Sequence, residues 1–162
     1  MQSTRDGAFC LLRLDPGEPV HEALAEWARA EGIEAAAIVS GIGMVRDTEI
    51  GYLRGTKYDT TVIPEPLELL ALTGSIAVDE GRPSLHLHLI GGRPDHSTVG
   101  GHLVAAKVAL IAEVTVRVFP GQTFRRLPLP GSGLKALQVA GTPKARAPRA
   151  ARVAPRARRA RR

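Results

Sequence analysis

The sequence predicts an α+β domain, several strands around one early helix, followed by a basic C-terminal tail. Three observations support this. The chain has 162 residues, 44% of them hydrophobic, enough for one domain with a core. A single segment near the start follows helical periodicity. Beyond it, the apolar segments are short, rich in Val, Ile and Leu, and bounded by Gly and Pro, which is strand punctuation.

In chain order, AFCLLRL at 8–14 reads as a strand ending at the Asp15-Pro16-Gly17 turn. EPVHEALAEWARAEG (18–32) reads as a helix: Val20, Leu24, Trp27 and Ala28 recur at 3.6-residue spacing, Glu18 and Glu22 sit near the positive N-terminal end, and Gly32 supplies a stop. IEAAAIVSGIG reads as a buried strand running into Gly41 and Gly43, which are expected to make a tight turn before a second strand at 48–55. Residues 67–92 read as a hairpin turning at 79–83, where Asp, Glu, Gly, Arg and Pro cluster. In 102–118 the alanines permit helix, but the alternation of Val114, Val116 and Val118 favours strand over 109–118. From Phe119 onward Pro, Gly and Arg punctuate the chain, and no internal repeat is present.

Charge divides the chain sharply. The formal net charge is +6, yet nine of the 22 Lys and Arg residues lie in 142–162: Lys144, Arg146, Arg149, Arg152, Arg156, Arg158, Arg159, Arg161 and Arg162. That segment has no acid, so 13 basic residues face all 16 acidic ones in 1–141, a body near −3. The tail's Ala/Pro/Arg composition has too little apolar bulk to offset ordering entropy and is expected to be disordered. A mildly acidic globule with a cationic appendage suggests a folded body presenting a flexible polycation to DNA phosphates.

Other features narrow the setting. The one cysteine, Cys10, cannot close an internal disulfide, and MQSTRDGAF lacks the basic-then-apolar pattern of an export signal. A reducing, cytoplasmic location is expected, with nucleoid association compatible with the tail. No apolar run approaches the roughly 20 residues that span a bilayer, so no membrane partner is expected.

SLHLHLIGGRPDHSTVGGHL (84–103) holds four of the five histidines. On a strand, His86 and His88 project from one face while Leu85, Leu87 and Leu89 point into the core. The chain returns at Gly100-Gly101-His102, where paired glycines permit a close backbone approach that brings a third imidazole to the pair. Three nitrogens around one point make a zinc site with one open position. The same spacing also fits polar residues on an exposed sheet face. His96, in the loop beside Asp95, is a candidate fourth ligand, and His21 reads as a surface residue of the helix. The spacing also invites comparison with cupin metal sites, but Gly91 and Gly92 stand where a cupin glutamate is expected. SGIG at 40–43 lacks the following helix that a phosphate-binding loop needs.

Taken in order, LRLDPGE, the helix, AAAIVSGIGMVRD, PLELLALTGSIA, LHLHL and VGGHL resemble the PPC ("plants and prokaryotes conserved", PD1-like DNA-binding) domain over roughly residues 8–127. The resemblance implies a mainly antiparallel sheet with an early helix, assembly as a homotrimer, and zinc at His86, His88 and His102. In plant members a GRFEIL motif, at the place of EPLELL here (65–70), contributes to partner binding. Only Glu68 and Leu70 match it, with Leu69 a close substitute. Plant members also carry AT-hooks, whose Arg-Gly-Arg-Pro core is absent; Gly81-Arg82-Pro83 and Gly92-Arg93-Pro94 lie beside acids and read as turns.

Three functions follow. The first is a DNA-associated trimeric module whose tail binds phosphate without reading sequence. The second is a zinc metalloenzyme built on the histidines, for which Asp95, Glu113 and Glu49 are the available bases and no catalytic residue is assigned. The third is a trimeric scaffold that recruits other proteins.

Overall fold

A computed structural model describes residues 1–140. Among these, nine strands and one helix follow in the order β1 (Gln2–Asp6), β2 (Phe9–Leu14), α1 (Val20–Ala30), β3 (Ala36–Arg54), β4 (Lys57–Ile63), β5 (Leu67–Asp79), β6 (Arg82–Gly92), β7 (Thr98–Val118), β8 (Thr123–Pro128) and β9 (Lys135–Ala140). The expected α+β class, mainly antiparallel with one early helix, is the observed one. The cationic segment, from Lys144 and Arg146 to Arg162, lies outside the described residues.

The strands run β1-β2-β7-β3-β5-β8-β9, with β4 on β3 and β6 on both β5 and β7. All pairings are antiparallel except β5 with β8, joined by the register pair Val78 and Arg125. β7 pairs with β3 along most of its length and with β6 over 98–102. Because β3 also pairs with β5, and β5 with β6, these four strands form a closed circuit. Closure leaves none of the four with an unpaired edge along its whole length.

Alternation along the long strands supplies the core. Leu103, Ala106, Val108, Ala112, Val114, Val116 and Val118 of β7 are buried, as are Leu72 and Ile76 of β5 and Leu87 and Leu89 of β6. The helix lays Val20, Leu24, Trp27 and Ala28 against β6 and β7. It ends at Gly32, whose φ of 62° turns the chain so that Ile33 N–H donates to the Ala28 carbonyl at 2.8 Å. At eleven residues it is too short to cross a membrane, and no other helix occurs among the described residues.

The hairpin forms as expected, with Glu80 and Gly81 both at positive φ between β5 and β6. Three expectations need correction. Residues 36–54 are one continuous strand rather than two separated by a turn, because Gly41 and Gly43 serve close packing within the sheet. A Cβ on Gly41 would lie 2.7 Å from the Leu72 side chain. At Gly43, where φ is 139°, it would lie 2.2 Å from the Ile111 carbonyl oxygen. Strand β7 extends back to Thr98, since 98–102 pair with β6 and the residues from His102 onward pair with β3. β8 and β9 form a second hairpin in the stretch read as irregular.

Gly43→Ala therefore drives a methyl group into backbone that cannot step aside, at a φ that side chains rarely adopt. It is expected to cost at least about 2 kcal/mol, read from urea unfolding at fixed protein concentration. A loss below about 0.5 kcal/mol would mean that β3 and β7 are not in this register.

Candidate metal centre

β6 places His86 and His88 on one face because side chains two apart share a face, and Leu87 and Leu89 between and beyond them are buried. β7 brings the third ring: His102 is the register partner of His88, and Gly101 and Gly100 face Leu89 and Ile90. A Cβ on Gly100 would lie 2.7 Å from the Leu89 carbonyl oxygen, so the first glycine of the pair permits the approach that brings the third imidazole in.

The three rings converge. Their centroids are 5.0 Å apart for His86 with His88, 5.0 Å for His86 with His102 and 5.4 Å for His88 with His102. One ligand atom from each lies within 4.8 Å of the others, and the Nε2 atoms of His86 and His88 are 3.1 Å apart. Tyr58 of β4 stacks on His102 at 4.6 Å, an approach that Gly51 makes room for, since a Cβ there would meet the Tyr58 ring at 2.8 Å. Three nitrogens so placed are a set that could hold one metal ion.

Electrostatics favour the ligating state of His86 and His102. Burial is the main cause that lowers the His102 pKa, to about 4, and the charges of His86, His88 and His21 add to it. His86 is also lowered, first by burial, then by His88 and Arg126. Neutral imidazole is the form that binds metal. Nδ1 of His102 is sealed from water and has no hydrogen-bond partner among the described residues.

The other histidines divide. His96 stays out of the cluster: it sits exposed at φ 66°, its N–H bonded to the Arg93 carbonyl, in a turn that Asp95 fixes by accepting from Ser97. His21 is not a plain surface residue. It is half-buried, its Nδ1 has no partner among the described residues, and burial lowers its pKa.

Beside the triad lies a cavity of about 260 Å³ lined by His86, His102, Tyr58, Ser84, Leu85, Asp79, Arg126, Leu134 and Lys135. Sequence reasoning missed Arg126 and Tyr58, which reach the site through β8 and β4. A somewhat larger pocket of about 330 Å³ around Glu31, Ile33, Phe119 and Gln122 contains no histidine or cysteine.

Residues 1–120 match the family model of the Plants and Prokaryotes Conserved (PCC) domain, the domain that the sequence motifs resemble. The chain belongs to this family. A solved metal-containing protein from Archaeoglobus fulgidus is 35% identical to this PCC chain, with a TM-score of 0.75 over 82% of this chain and 94% of that one. A candidate DNA-binding protein from Ralstonia eutropha JMP134 is 28% identical, with a TM-score of 0.78 over 85% and 96% of the two chains. Among curated proteins, bifunctional protein GlmU of a Synechococcus strain is 32% identical over 136 residues, 82% of this PCC chain. The chain spans only 21% of that relative's length. In this PCC domain the HLH and GGH motifs are thus the two strand segments that meet in the triad.

Proposed function

We propose that this chain is a DNA-associated PCC module that assembles as a homotrimer, carries zinc on His86, His88 and His102, and binds DNA through its C-terminal cations without reading sequence. The observation that carries the DNA reading is the partition of charge: nine cations and no acid in 142–162 against a body near −3. Such a segment displaces condensed counterions from the duplex, whereas the body alone is repelled. The likeness to a candidate DNA-binding protein supports the reading.

Two nitrogens bound tetrahedrally to zinc at about 2.0 Å stand roughly 3.3 Å apart. The 3.1 Å between the Nε2 atoms of His86 and His88 suits that geometry, and His102 adds a third donor. The likeness to a metal-containing protein supports a bound metal. Bound zinc would supply a Lewis-acid position open to a fourth ligand.

Self-association is favoured by apolar side chains that the sheet leaves in water. Val39 and Ile42 on β3, Leu70 on β5, Ile90 on β6 and Leu110 on β7 are each about half exposed or more, although their strands are paired. Large apolar side chains gathered on outward sheet faces mark an interface. Trimeric assembly is what the family resemblance implies.

A second reading, a hydrolytic metalloenzyme, is favoured by the triad alone. Asp95, Glu113 and Glu49 do not line the cavity, and its one carboxylate, Asp79, is committed to Lys135 at 2.6 Å. No free carboxylate in the cavity stands ready as a general base. A scaffold for other proteins would use the same apolar faces and leave DNA unbound.

Three measurements test these statements. Elemental analysis of protein purified without a histidine tag is expected to give one zinc per chain, and His86→Ala or His102→Ala to retain about a tenth of it or less. Low metal that is equal in all three proteins would overturn the zinc site. Sedimentation of the full chain at micromolar concentration is expected to show a trimer, shifted towards monomer by the double substitution Ile42→Glu, Leu110→Glu; a wild-type monomer would refute assembly. Fluorescence anisotropy on A·T-rich and G·C-rich duplexes is expected to give similar affinities. Log K should fall with log salt at a slope of up to about −8 per arm. Removal of 142–162 should abolish binding. If the truncated chain binds equally well, the C-terminal cations are not the DNA-binding element.

A further inference from the structure

Arg126 is 8% exposed, the one charged side chain counted as buried among the described residues. Its Nη2 donates to Ser75 Oγ at 2.7 Å, and it forms no ion pair among those residues. Ser75 is the register partner of His86, so the guanidinium is anchored beside the triad. The nearest acid in the cavity, Asp79, is held by Lys135. Residues 141–162 contain no Asp or Glu side chain. Asp79 acts on Arg126 only at longer range and is shared with Lys135, so the buried guanidinium is incompletely compensated and is placed to take a further anion. Arg126 lines the same cavity as His86 and His102.

We propose that this cavity binds a small molecule through an oxyanion, a carboxylate or phosphate group, held by the Arg126 guanidinium on one side and by the triad's metal ion on the other. The inference rests on the zinc reading for the second of these contacts. The planar guanidinium offers a fork of parallel donors matched to two oxygens of one such group. With the three imidazoles bound, the metal's fourth position is open for one of those oxygens. Tyr58, Leu85 and Leu134 give the cavity apolar walls, and about 260 Å³ admits a small organic acid or phosphate ester and excludes a duplex. Burial lowers the Arg126 pKa, with Asp79 acting in the opposite direction.

The test uses the full chain loaded with one equivalent of Co²⁺, whose visible absorption reports only the metal's surroundings and is blind to anions on the C-terminal cations. Inorganic phosphate and acetate are titrated separately into wild type, Arg126→Lys and Arg126→Gln, and circular dichroism checks their folding. Expected is a saturable spectral change in wild type with at least one of the two anions. That affinity should fall at least about tenfold in Arg126→Gln and less in Arg126→Lys, with cobalt affinity in a chelator competition not weakened. Which anion binds more tightly assigns the carboxylate or the phosphate class. No saturable change with either anion overturns the proposal, as does equal affinity in wild type and Arg126→Lys if the glutamine variant does not fold. Failure of wild type to take up cobalt instead refutes the metal reading, and the anion site with it. If Arg126→Gln breaks the assembly in sedimentation while wild type binds neither anion, the missing partner is a carboxylate of a second copy and the proposal falls.

Discussion

The double pairing of β7 is the constraint on which the rest depends. One strand of 21 residues lies against β3 for most of its length and against β6 over its first five, and this closes the β3-β5-β6-β7 circuit. Closure does two things at once. It gives the core an apolar lining, because Ala112, Val114, Val116 and Val118 alternate inward along β7, with Val108 inward beyond the bulge. It also fixes His102 opposite His88, a register that cannot slip by one residue without turning the buried valines to water. The site is therefore held by the same free energy that holds the core. Its imidazoles lie on paired strands rather than on a mobile loop, which is how a ligand set keeps its spacing without the ion.

Electrostatics around the site follow from that burial. Imidazoles beside one another and beside a guanidinium repel a proton more strongly than water would, and desolvation works in the same direction for His86 and His102. The outcome is two imidazoles, His86 and His102, held towards the neutral form next to a permanent cation. Such a region is hostile to further positive charge unless it arrives with three ligands waiting, and receptive to an anion. The acids of the body are spent elsewhere: Asp15 and Glu18 on the N-terminus, Glu26 on Arg29, Asp79 on Lys135. Surface pairs of this kind contribute little stability, but they leave the buried guanidinium without a competitor for its ligand.

Much of this was legible in the sequence wherever a residue's own chemistry dictated its place. The helix showed in the Val20, Leu24, Trp27 and Ala28 stripe. The hairpin showed in its Asp79 to Pro83 turn, and the histidine face in the period of two. Illegible were the elements whose reason to exist lies in a distant partner. β1 is exposed at all five positions and β4 at six of seven, so no hydrophobic pattern marks them; they are extended because β2 and β3 offer hydrogen-bonding edges. Gly41 and Gly43 look like a turn to any local reading, and only the approach of Leu72 and Ile111 across the sheet shows that they are a space left for packing. His21 needed the docking of α1 on β6 and β7 to become half-buried. Arg126 is one arginine among many, and β8 reaches β5 through a single register pair that sequence spacing does not announce.

Membership of the PCC family fixes the architecture more firmly than it fixes a role, since one fold carries sites of many kinds. The related proteins make the same point: one is a metal-containing protein, another a candidate DNA-binding protein, and a third, GlmU, is about five times the length of the matched segment. In the proposed function, metal and anion chemistry use the β5–β6–β7 face with Arg126, where burial makes each charge count, and affinity for nucleic acid comes from the number of C-terminal cations. The two halves impose different demands on the chain. A substitution at Gly100 or Arg126 acts on a site built to fractions of an ångström, whereas any one C-terminal arginine can be exchanged for lysine with little effect on a term that only counts charges.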